Sequence, residues 1–286
     1  MRIAPRRIAG LTGLAAVSML LAGCATPAGE PGATPASMDE LCAEPLVLTC
    51  ETGGGTTIIV VPGDAADERV TEFAHRLYDS DAAASGGDII LRGEHSDPRV
   101  LDPEVSPPPK WELTVHPGEP EQFEAALSGT LAAAAVPGAV GVFAQGWPHV
   151  TVETLDEFDE VFTRLSSMPL FRGGGTYTLQ SLDEHLRLVH VPSRTADSAV
   201  LEIIGIARDY PAAEVLLEAP ESGPQYPALY VSGLTPAQAA ELDARLSDPR
   251  LATADVDGYA LEYVLGSLGE DGTTYLGGTF GGVPAG

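Results

Sequence analysis

The sequence predicts an α+β fold, and three observations carry that prediction. Short apolar or alternating runs, each long enough for one strand, recur along the chain. Apolar stripes with helical spacing stand between them. From residue 110 to residue 265 the two kinds of segment follow the order βαββαβ twice over.

The elements can be taken in order. Ile58–Val61 is an apolar run that reads as a buried strand. Val70, Phe73, Ala74, Leu77 and Tyr78 then fall on one helical stripe, and "DIILR" at 88–92 is a strand. Pro98, Pro103 and Pro107–Pro109 make the following stretch a stiff linker and a boundary. "KWELTVH" at 110–116 alternates as a strand. Pro120 suits the first turn of a helix carrying Phe123, Ala126, Leu127 and Leu131. Strands follow at 139–144 and 149–153. Thr154–Glu157 reads as a capping box before a helix with Leu155, Phe158, Phe162 and Leu165 on one face. "TYTLQ" at 176–180 closes this set.

The next set repeats it. "LRLVHV" at 186–191 is a strand, and a helix beginning near Thr195 presents Val200, Ile203, Ile204 and Ala207. Strands at 213–219 and 228–232 precede Thr235–Gln238, a capping box with Pro236 at the first helical position. That helix carries Leu242 and Leu246. "YALEYVL" at 259–265 is a strand, and "TTYLGGTF" after Gly272 completes a hairpin.

The order βαββαβ is that of the ferredoxin-like split βαβ fold. The expected architecture is therefore two tandem ferredoxin-like modules, 110–181 and 182–286, the second with a C-terminal hairpin. An N-terminal βαβ half unit and its Pro-rich linker occupy 46–109. The alternative is one continuous mixed α/β sheet.

The start of the chain has a different character. Arg2, Arg6 and Arg7 precede an apolar run from Ile8 to Leu21, which is too short for a stable membrane span. A basic start, an apolar core and small residues at its end make a secretory signal peptide. The run closes as Leu21-Ala22-Gly23-Cys24. This resembles the lipobox of bacterial lipoproteins, whose Cys is diacylated on sulfur and becomes the first mature residue. The resemblance covers residues 1–24 only. It implies cleavage after residue 23, lipidation of Cys24, and a protein outside the cytoplasm attached to the cell membrane by its lipid. Residues 24–45, rich in Pro, Gly, Ala and Thr at their start, read as a flexible tether.

Loss of residues 1–23 would take the formal charge from −26 to −29, since three Arg leave with them. Such a chain repels nucleic acid and anionic headgroups, so neither is an expected partner. With Cys24 lipidated, Cys42 and Cys50 remain as an even pair in an oxidising compartment, and a disulfide between them is expected.

The chemistry-bearing motifs are sparse. No G-x-S-x-G or S-x-x-K occurs. The Gly-rich stretches at 52–55 and 172–175 precede strands and lack a Lys, the reverse of a phosphate cradle. Glu94, His95 and Asp97 share one loop that could hold a cation. "DVDG" at 255–258 is a fragment of a calcium loop without its remaining ligands. Trp111 and Trp147 could mark a carbohydrate or peptide surface. The expectation is thus a lipid-anchored envelope lipoprotein without a cofactor, acting as a non-catalytic binding or assembly module for a protein or small molecule. The alternative is an envelope hydrolase using paired carboxylates, with or without a divalent cation.

Overall fold

Among the described residues twelve strands line up in one sheet in strict chain order. They are β1 (Thr49–Gly53), β2 (Thr56–Pro62), β3 (Asp88–Glu94), β4 (Trp111–Val115), β5 (Ala139–Phe143), β6 (His149–Val152), β7 (Tyr177–Ser181), β8 (Leu186–His190), β9 (Glu214–Glu218), β10 (Ala228–Leu234), β11 (Glu262–Gly269) and β12 (Gly272–Thr279). The helices are α1 (Met38–Cys42), α2 (Asp67–Tyr78), α3 (Asp81–Ala84), α4 (Pro120–Ala134), α5 (Phe158–Ser166), α6 (Pro169–Arg172), α7 (Asp197–Asp209) and α8 (Pro236–Leu246). The structure, a computed structural model, describes residues 35–95, 108–116, 118–144, 147–173, 175–218, 228–253, 258, 260–270 and 272–283. Residues 35–286 belong to one compact unit.

The ladder alternates. β1–β2, β3–β4, β5–β6, β7–β8, β9–β10 and β11–β12 are antiparallel. β2–β3, β4–β5, β6–β7, β8–β9 and β10–β11 are parallel, each joined by a helical crossover. The expected βαββαβ order is present, but the strands do not interleave as in a split βαβ unit. Each crossover joins immediate neighbours, and the sheet runs unbroken across 109/110 and 181/182. The alternative arrangement, one continuous mixed sheet, is the one that forms.

All the helices belong to one layer. Tyr78 of α2 stacks on Phe123 of α4 with ring centroids 4.5 Å apart. A Cβ on Gly129 of α4 would lie 2.9 Å from Leu170 of α6. Asp159 of α5 pairs with Arg208 of α7, and Glu202 of α7 with Arg245 of α8. The sheet residues that meet this layer run in register from Trp111 through Val142, Val150, Leu179, Leu188, Leu217 and Leu229 to Tyr263. Each is at most 2% exposed. Four stripe residues of α5, Phe158, Val161, Phe162 and Leu165, are buried against it, each contributing about 1.5–3 kcal/mol.

Strand direction reverses at each hairpin, the sheet always grows the same way, and the helices stay on one side. Successive crossovers therefore alternate in hand, and at least two of the five depart from the usual right-handed connection. The opposite face of the sheet carries no helix among the described residues.

Local sequence accounts for most element ends. The capping box at Thr235 forms: Gln238 N donates to Thr235 Oγ1 at 3.3 Å, and Thr235 N to Gln238 Oε1 at 2.9 Å. At Thr154 it does not. Thr154 Oγ1 meets Glu157 Oε2 at 3.0 Å, but α5 starts only at Phe158. Arg208 takes the Leu155 and Asp156 carbonyls, which keeps residues 155–157 in a turn. Gly54 and Gly55, with φ of +63° and +92°, make the β1–β2 hairpin turn, which explains the glycines at 53–55.

Candidate functional site

Successive residues of a strand point to opposite faces, so residues paired across the ladder share a face. On the open face one row runs Arg92, Glu112, Phe143, His149, Thr178 across β3–β7. A second runs Thr151, Gln180, Arg187, Leu216, Tyr230 across β6–β10. Between them they bring together side chains from eight strands.

A depression of about 320 Å³ lies at the β4–β6 end of these rows, lined by Pro108, Pro109, Glu112, Phe143, His149 and Thr151. Its floor reflects a local break in the ladder. β4 and β5 pair only at Trp111–Val142 and Glu112–Phe143. Continuing that register backward sets Pro108 and Pro109 opposite Ala139 and Val140, where proline has no N–H to give. His95 fills the gap: its Nε2 donates to the Val140 carbonyl at 2.7 Å. Pro108 packs on Gly141, where an added Cβ would lie 2.8 Å from Pro108 Cγ.

The polar groups here are held in place. Arg92 Nε donates to Glu112 Oε2 at 2.7 Å, and a terminal nitrogen reaches the same oxygen at 2.5 Å. Glu112 is 7% exposed and is the one buried carboxylate among the described residues. Trp147 is 48% exposed, and its Nε1 donates to Thr178 Oγ1 at 3.1 Å. His149 is held below its ordinary pKa by burial first and by the Arg187 guanidinium second, so it is neutral at neutral pH. A neutral imidazole can donate with one nitrogen and accept with the other. Beyond it a wider depression of about 640 Å³ is lined by Gln180, Glu184, His185, Arg187, Glu214 and Leu216. The β7–β8 turn at its edge is fixed by Asp183, which accepts from Ser181 Oγ at 2.6 Å and His185 N at 3.1 Å. Glu184 in that turn has φ of +59°.

This array is suited to holding a ligand flat against the sheet. Phe143 and Trp147 offer apolar rings, and His149, Thr151, Gln180 and Arg187 offer donors. Glu112, engaged by Arg92, has no second buried carboxylate beside it.

The residues singled out in the sequence fall elsewhere. Cys42, ending α1, and Cys50 in β1 form a disulfide, with Cα atoms 5.6 Å apart. Cys24 lies outside the described residues, as do Asp97 and residues 255–257. Of the loop at 94–97, His95 is occupied by the Val140 carbonyl. Trp111 is a core residue, 2% exposed, whereas Trp147 belongs to the open face. Among the described residues no group of three or more His, Cys, Asp or Glu could hold a metal ion. Nor is any helix among them long and apolar enough to cross a membrane. Arg92, Phe143, His149, Thr151, Gln180 and Arg187 were not nominated from the sequence. The alternating polar positions of "HVTV", "TLQS" and "LRLVH" signal an outer face, but cross-strand neighbours are set by topology. The chain matches no protein family, no curated protein and no solved structure.

Proposed function

We propose that this chain is a lipid-anchored protein of the bacterial cell envelope that binds a ligand or partner on the open face of its sheet, without a reaction of its own. The observation that carries the reading is the one-sided helix layer. Among the described residues it leaves the rows from Arg92 to Thr178 and from Thr151 to Tyr230 without a helix over them. Accessible rings beside a few polar donors are the usual make-up of a binding surface. The anchoring half rests on the lipobox-like Leu21–Cys24 and is supported by the Cys42–Cys50 disulfide, since such bonds persist in oxidising compartments.

Two experiments test the two halves separately. Metabolic labelling with a fatty acid should mark the wild type and not Cys24→Ala; equal labelling ends the anchoring claim. A photo-crosslinking residue placed at Thr151 or Arg187 should give a discrete adduct in intact cells, and one placed at the exposed helix residue Glu121 should give none. Identical adduct patterns from both faces would remove the open face as the binding surface.

A further inference from the structure

The two ends of the sheet differ. β1 is a five-residue strand containing Glu51, and its Cys50 is tied to α1 through Cys42. Charge, shortness and a covalent tether are devices that keep an edge from pairing. β12 has none of them. It is eight residues long, GTTYLGGT, with no charged side chain and no proline, in a chain of net charge −26. Its inner edge pairs with β11 along its full length, and among the described residues its outer edge is the end of the sheet. Eight large apolar side chains are exposed among the described residues. Four of them, Tyr230, Leu268, Tyr275 and Leu276, lie on β10–β12.

We infer that β12 pairs antiparallel with β12 of a second copy of this chain, joining two sheets into one across a two-fold axis. A second copy is favoured over a different partner by self-complementarity. Antiparallel pairing of identical strands that keeps the sheet continuous needs an axis normal to it. Paired residues must also share a face, so their numbers sum to an even value and the axis passes at a residue; the midpoint of β12, between 275 and 276, makes that residue Tyr275 or Leu276 for the longest overlap. Leu276 pairs with the buried Leu265 on the helix side, so two copies of Leu276 extend the core across the junction. Tyr275 lies over Gly266 on the open face, beside Tyr230 and Leu268. Glu270 of one copy then falls opposite residues 280–282 of the other, which carry no charge. Like charges directly opposite would have opposed the pairing. The protected β1 edge closes the assembly at two.

A ladder of eight residues is about 27 Å long, which makes a small interface and a reversible dimer. Two copies of a chain with a net charge of −26 repel, so salt should strengthen the dimer by screening. This pairing is independent of what the open face binds.

The test is cross-linking in the full chain under mild oxidation. Tyr275→Cys and Leu276→Cys are compared with Leu201→Cys, a 40% exposed position on α7. The variant on the axis should give a covalent dimer several-fold faster than the other two, because opposed Cα atoms in an antiparallel pair lie within disulfide reach. No dimer from either strand position, or equal dimer from Leu201→Cys, overturns the inference. Sedimentation velocity of the unmodified chain guards against variants that fail to fold. A dimer fraction rising with both concentration and salt supports the pairing. A monomer under all conditions, or a dimer that salt dissolves, refutes it.

Discussion

The indole of Trp111 lies directly on Gly93: a Cβ added at that glycine would sit 2.2 Å from Trp111 Cε2. The two are register partners in β3 and β4, and Trp111 is 2% exposed. Gly93→Ala should destabilise the fold by about 1–3 kcal/mol, the range for overpacking. Adding Trp111→Leu to Gly93→Ala should recover part of that loss. Thermal melts of the two single variants and the double variant measure it; strict additivity would mean the contact is not the cause.

Burial holds His190 at a pKa of about 4, below the ordinary 6.5 of the free side chain. The ring is fully buried between Phe162 and Tyr177, and neither ring nitrogen has a hydrogen-bond partner. Asp197 lies 3.6 Å away, but it is 61% exposed and too well solvated to offset the burial. The folded state therefore binds this proton less readily than the unfolded one. Stability is fully present above about pH 6.5 and is lost as pH falls from there toward 4, by up to roughly 3 kcal/mol. His190→Phe should flatten that part of the profile in denaturant titrations between pH 4 and 7. An unchanged slope would place the pH dependence elsewhere.

The Arg92–Glu112 pair should behave asymmetrically. Arg92→Met leaves a 7% exposed carboxylate without its cation, at a cost on the order of 3 kcal/mol. Glu112→Gln on that background removes the stranded charge and should restore most of the stability. Equal losses in the single and double variants, read by urea unfolding, would show that the pair is not buried in solution.

Joining Cys42 to Cys50 closes a loop across a sequence separation of 8. Reduction, or Cys42→Ala, should lower stability by about 2–3 kcal/mol in the chain-entropy account. Wild-type melts with and without reductant should differ, while the Cys42→Ala melts should coincide.

Most elements were legible because the five longer helices carry an apolar stripe and the inner strands an apolar run or an alternation; α1, α3 and α6, of four or five residues, are too short to show one. β1 was not, because "TCETG" is short, polar and largely exposed, with no burial to print a pattern. β11 was expected to end at Leu265 and continues to Gly269. Gly266 continues the strand beneath Tyr275, whose ring an added Cβ would meet at 3.5 Å, an ordinary contact. The arrangement of strands was less legible. βαββαβ is compatible with interleaved or consecutive pairing, and only contacts between distant residues choose. The open-face site went unseen for the same reason, since Phe143, His149 and Arg187 become neighbours only when β5, β6 and β8 take their places.

Because the sheet keeps chain order, no strand waits for a distant segment. The farthest partners in the ladder, Ala228 and Glu262, are 34 positions apart (262 minus 228). Loop closure is therefore cheap at every step, and each hairpin-and-crossover pair can add to a template already formed by the one before it. A chain of this design can fold vectorially, from its first ribbon to its last, while its C-terminal part is still being synthesised or threaded through a pore.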